Sequence, residues 1–157
     1  MQPYTLVVVD MQTGFEAAHE PTTLACVKRE INSAFQNNNP IIFLEVPYFS
    51  PLDETGLGHT LRELTQPVIN YNKAKVVEKM YSDGSWFVLD ACQRNNFDPS
   101  HIRICGVNSD VCVFFTAIGL AASKEVGLIE VITDACNTIT KGYNFKDFQD
   151  KEKIALR

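Results

Sequence analysis

Short apolar runs rich in β-branched residues alternate along this chain with segments whose apolar residues recur at helical spacing, and that alternation leaves few folds open. Residues 5–10, 41–46, 74–78, 102–107 and 128–133 read as strands, the second opened by Pro40 and closed by Pro47. Between them, residues 23–37 set Leu24, Val27, Ile31, Ala34 and Phe35 on one helical face, residues 61–64 form a brief helical patch, and 86–93 have helix composition. Residues 110–124 repeat Val111, Phe114, Phe115, Ile118, Ala121 and Ala122 on one face at helical spacing, so a helix is expected there. Strands joined through helices predict a parallel sheet covered on both faces by right-handed crossovers. The expected fold is therefore a three-layer α/β/α domain with a mostly parallel sheet of five or six strands. The polar tail, 141–157, is expected to be a short terminal helix or partly loose.

At 157 residues, 45% hydrophobic and 21% charged, the chain suits one domain over 1–157 with a substantial core. A formal net charge of −5 with no Lys/Arg run argues against a nucleic-acid or anionic-membrane surface and in favour of small-molecule or protein partners. The apolar run before Asp10 is too short for a signal peptide, and no stretch is long enough to cross a bilayer. Five cysteines, an odd number without metal-knuckle spacing, suit a reducing compartment, and a cytoplasmic location is expected. Cys26, Cys92, Cys105 and Cys136 read as packing residues. A homodimer or higher homo-oligomer is the default expectation.

Ligands of open parallel sheets bind at the carboxyl ends of the strands, and here those positions are reactive. Asp10 follows the first strand, Glu45 lies near the end of the second, Lys79 follows the third and Cys112 follows the fourth. Carboxylate, ammonium and thiol together make a base, an electrostatic partner and a nucleophile. Ser109 or Asp110 is the expected N-cap of the helix after strand four, making Cys112 its second or third residue, where the helix dipole favours a thiolate. Each of the three also has a plainer reading: Cys112 as a small buried residue, Asp10 as a strand terminator, Lys79 as a solvated surface lysine. Phe15 and Trp86 either wall a flat substrate or belong to the core, and Glu45 either contacts substrate or caps a turn. His19, His59 and His101 lack metal-ligand spacing and read as surface or loop residues, so no metal and no cofactor is expected.

Three motifs in order resemble those of the isochorismatase-like cysteine hydrolases, a family that includes nicotinamidases and N-carbamoyl amidohydrolases. Val7-Val8-Val9-Asp10-Met11-Gln12-Thr13-Gly14-Phe15 is similar to the family's D-x-Q-x-x-F opening, Val77-Glu78-Lys79-Met80-Tyr81-Ser82 to its lysine segment, and Gly106 to Val113 to its G-x-x-[TS]-x-x-C-V nucleophile motif. The resemblance implies a Cys112, Asp10 and Lys79 triad, with Lys79 lowering the thiol pKa. It also implies a cis Val107–Asn108 peptide and an oxyanion hole made by the backbone N–H groups of Asn108 and Cys112. Gln12, Phe15, Glu45 and Trp86 become candidates for substrate contact, Phe15 as a pocket wall. The implied activity is metal-independent hydrolysis of a small-molecule amide or carbamoyl C–N bond through a Cys112 thioester.

The chain also departs from the family. Where nicotinamidases carry an Asp and several His residues that hold a metal, this sequence reads Glu45-Val46-Pro47-Tyr48-Phe49-Ser50-Pro51. The Ser82-Asp83-Gly84-Ser85-Trp86 segment is out of register with the family pattern, and the tail is expected to lack the family's further helix and strand. Nicotinamidase is thus the alternative within the enzyme class, and a non-catalytic binding or assembly module the alternative outside it.

Overall fold

The computed structural model describes residues 2–47 and 58–157. Six parallel strands form one sheet: β1 (Thr5–Val9), β2 (Ile41–Glu45), β3 (Ala74–Glu78), β4 (His101–Val107), β5 (Leu128–Asn137) and β6 (Ile154–Leu156). Their spatial order is β3-β2-β1-β4-β5-β6, and every neighbouring pair is parallel. The helices are α1 (Pro21–Gln36), α2 (Arg62–Thr65), α3 (Ser85–Asn95) and α4 (Phe114–Ala122). Right-handed crossovers put α1 and α2 on one face; the chain then reverses across the sheet from β3 to β4, which places α3 and α4 on the other. That reversal creates a switch point between β1 and β4, the place where such sheets bind ligands.

Central strands β1, β2 and β4 are buried along their whole length, as expected of mainly apolar strands in a sheet covered on both faces. Helix α1 begins earlier than the sequence pattern indicates, because Glu20 accepts from the Thr22 and Thr23 N–H groups (3.1 and 2.6 Å) and Pro21 occupies the first turn.

Three expectations need correction. The tail contains β6, which pairs with β5 through Arg157 N–H to the Val131 carbonyl (2.9 Å) and Thr133 N–H to the Arg157 carbonyl (2.8 Å). Phe148, buried between Phe114 and Phe145, anchors the crossover. A three-residue edge strand after a polar loop has too few positions to display a period. Next, the helix expected over 110–124 is α4 over Phe114–Ala122; its buried face carries Thr116, Ala117 and Leu120, while Val111 and Phe115 of the apolar stripe are exposed. The segment is apolar nearly all round, so periodicity selects no face. Last, His101 is buried in β4, with Nε2 2.9 Å from Glu130 Oε2 on β5, because a polar residue at a strand start pairs across the sheet.

Candidate active site

Each reactive side chain lies at the carboxyl-end rim of the sheet because its strand stops there, and Lys79 reaches across from the edge strand β3 to Asp10. Asp10 N–H donates to the Leu44 carbonyl (3.0 Å), the last rung of the ladder, and Asp10 then turns out of the strand with φ 49°. That left-handed conformation is uncommon outside glycine, though aspartate tolerates it better than most residues. Lys79 N–H donates to the Glu45 carbonyl (2.8 Å) in the same manner at the end of β3. In β4 the register shifts between Ile104 and Gly106, and Gly106 takes φ 119°. A Cβ there would stand 2.1 Å from the Val9 carbonyl oxygen, so only glycine lets β4 pass β1 and deliver the following turn to Asp10.

The turn carrying the thiol is not the expected helix start. Residues Ser109–Val113 form a π-helical turn with Asn108 as N-cap, and no side chain caps it. Cys112 is its fourth residue, neither second nor third, and the Val107–Asn108 peptide is cis. π-helical turns recur at functional sites, where they re-aim a side chain that an α-helix would carry past.

Lys79 Nζ lies 2.9 Å from Asp10 Oδ2 with both side chains fully buried, and it also donates to the Tyr81 carbonyl (3.2 Å). The Asp10 carboxylate is held by the Lys79 ammonium and lies within hydrogen-bonding reach of the Cys112 thiol. Burial raises the Asp10 pKa and Lys79 opposes the rise. The Cys112 thiol lies against both groups. Burial, and secondly the Asp10 charge, push it up to about 11, with Lys79 working the other way. The expectation of a depressed thiol pKa is thereby reversed: the helix dipole and one ammonium do not outweigh desolvation and a neighbouring carboxylate.

Two residues unmarked in the sequence reading support Lys79. Thr116 accepts the Gly84 N–H (2.9 Å) and fixes the loop between β3 and α3 on α4. A Cβ on Gly84 would lie 2.7 Å from Leu44 Cδ1 and 3.1 Å from Lys79 Cδ. Gly84→Ala is therefore expected to cost about 1–3 kcal/mol in urea unfolding, as overpacking does, and to lower turnover by displacing the lysine stem.

The other candidates divide. Gln12 Nε2 donates to the Val46 and Gly58 carbonyls (3.0 and 2.6 Å) and Gln12 Oε1 accepts the Val46 N–H (2.8 Å). Glu45 accepts the Thr60 N–H (2.7 Å) and stands 3.3 Å from His59 Nδ1. The polar atoms of both are engaged in holding the ends of the segment between β2 and α2. Phe15 packs half-buried against the core, whereas Trp86 on the first turn of α3 is 64% exposed and stacks edge-on with Phe87. The sequence stretch compared with the nicotinamidase metal ligands runs into residues 48–57 and so lies mostly outside the described residues.

No curated protein matches the chain by sequence. Its fold is similar to N-carbamoylsarcosine amidase from Thermoplasma acidophilum, at TM-score 0.78 and 19% identity over 99% of this chain and 96% of that one. Nicotinamidase SaPncA from Staphylococcus aureus aligns at TM-score 0.67 and 21% identity over 87% and 84%. The YcaC gene product from Escherichia coli, an octameric hydrolase of unknown specificity, aligns at TM-score 0.65 and 21% identity over 88% and 69%. The isochorismatase domain model matches residues 4–152, nearly the whole chain, and with the six-stranded fold it establishes that this protein belongs to the isochorismatase-like hydrolase family.

Proposed function

We propose that the protein is a cysteine amidohydrolase that cleaves a C–N bond of a small amide or carbamoyl compound through a Cys112 thioester. The observation that carries this reading is the fully buried Lys79–Asp10 ion pair standing against the Cys112 thiol at the sheet's switch point. A buried pair is weak evidence of stabilisation, so one placed beside a nucleophile is better explained by chemistry.

In this reading the resting thiol is neutral. Asp10 takes its proton as Cys112 Sγ attacks the substrate carbonyl carbon, and Lys79 keeps Asp10 ionised until that moment. The backbone N–H groups of Asn108 and Cys112 hold the oxyanion. Asp10 then gives the proton to the departing nitrogen, the C–N bond breaks and a thioester remains. Water, losing a proton to Asp10, attacks the thioester; the acid leaves and Cys112 recovers its proton. Phe15 and the exposed Trp86 are the proposed apolar contacts, while Gln12 and Glu45 act on substrate only through the segment they hold.

The similar structures include proteins named for N-carbamoylsarcosine and nicotinamide, which sets the first panel. Ammonia release is to be measured with both compounds and with simple aliphatic amides. Acid-quenched digests should show an acyl group on the Cys112 peptide, and iodoacetamide modification of Cys112 should end turnover. Ammonia release that persists after complete alkylation of Cys112 would overturn the reading.

A further inference from the structure

We infer that Asp110 is a positioning residue, whose carboxylate ties the turn bearing Cys112 to the loop after β5 and so sets the thiol against Asp10. The inference rests on Cys112 being the nucleophile. Asp110 Oδ1 accepts the Thr138 hydroxyl at 2.6 Å and Oδ2 accepts the Thr140 hydroxyl at 2.5 Å. Burial works against the ionised carboxyl, yet these two hydroxyls hold its pKa below the ordinary value. The bonds are short and charge-assisted, the stronger kind of hydrogen bond.

The turn is seated in the core through Ser109, Cys112 and Val113, and the tie matters because few polar bonds hold its other side. Its cap, Asn108, makes no side-chain capping bond, and Asn108 Oδ1 and Ser109 Oγ are buried without a partner among the described residues. Inside the turn the ladder is wide, with Val113 N–H donating to the Asn108 carbonyl at 3.1 Å. On the side facing the loop lies an open groove lined by Ser109, Cys136, Thr138, Thr140 and Tyr143 among others. The Tyr143 hydroxyl is likewise buried and unpartnered among the described residues. Where the turn borders that groove, Asp110 supplies two side-chain bridges to the loop. It precedes Cys112 by two residues, so a shift of the bridge is passed to the thiol with little damping.

The test needs no substrate. Thr138→Val/Thr140→Val removes both hydroxyls at nearly constant volume, and Thr138→Ser/Thr140→Ser keeps them. In each folded protein the rate of iodoacetamide alkylation at Cys112 is followed against pH by peptide mass. In the native protein burial and Asp10 should hold the midpoint above the free-thiol value, with Lys79 working the other way. The valine pair should move it toward the free-thiol value of about 8.5, with the serine pair staying at the native value. Once a substrate is found, the valine pair should also lose about 10–100-fold in kcat, the usual result of a small misplacement, with KM little changed. A purely structural role would lower the melting temperature and leave the midpoint where it was, and that result overturns the inference. Should the double variant not fold, Thr140→Val alone carries the same comparison. Failure of the nucleophile assignment shows separately, as turnover that survives alkylation of Cys112.

Discussion

Cys112→Ala is expected to end turnover while leaving a folded protein. In the proposed mechanism the thiol forms the covalent intermediate, and removal of a hydrolase nucleophile costs on the order of 10⁴–10⁶ in kcat. The structural cost is small. Cys112 is nearly buried but contributes a single sulfur atom, worth about 1 kcal/mol of apolar burial, and alanine suits a helical turn. Asp10 and Lys79 keep each other as partners in the variant, so no buried charge is left alone. The measurement is ammonia release beside urea unfolding. A fully active alanine variant would remove Cys112 from the chemistry and leave the fold as a binding or assembly module.

Which parts of this site were legible from residues alone follows from how local each signal is. Asp10, Lys79 and Cys112 each follow a strand-like run, and strand ends in a parallel sheet lie along one edge by topology, so their placement on one rim was readable without coordinates. The sign of the thiol shift was not. It depends on a balance between burial, one cation and one anion, and a sequence does not disclose that Cys112 lies deep enough for desolvation to dominate. Nor was the tie from Asp110 to Thr138 and Thr140, because its partners lie 28 and 30 residues away in a loop without pattern. On sequence alone Glu45 fits either a substrate contact or a turn cap and Gln12 belongs to the family motif; that backbone groups engage their polar atoms is visible only in coordinates. β6 escaped for a simpler reason: an edge strand of three residues is recognised by its partner, not by its own composition.

Lys79→Met should produce the largest loss of stability of any change at the site, and its size should depend on pH. Methionine matches the lysine stem in length and keeps its contact with Gly84, while removing the charge and the hydrogen bond to the Tyr81 carbonyl. What remains is a carboxylate with no exposed surface and no cation, a situation that costs about 3–5 kcal/mol at neutral pH. Asp10 can escape that cost by taking a proton. Burial already raises its pKa in the native protein, with Lys79 opposing, and without Lys79 it must rise further. A carboxyl whose folded pKa exceeds its unfolded value contributes stability below the unfolded value and loses it as pH climbs through the folded one. Both proteins follow that course, but the variant continues to lose stability over a longer interval. The gap between them should therefore be small in acid, open between the two folded Asp10 pKa values, and level off above the higher. Urea unfolding at a series of pH values reads this directly. Turnover should fall with it at neutral pH, since a protonated Asp10 accepts nothing from Cys112, and whatever activity survives should move toward alkaline pH. A stability difference that stays constant from acid to neutral pH would mean that Asp10 does not carry the charge the pair requires.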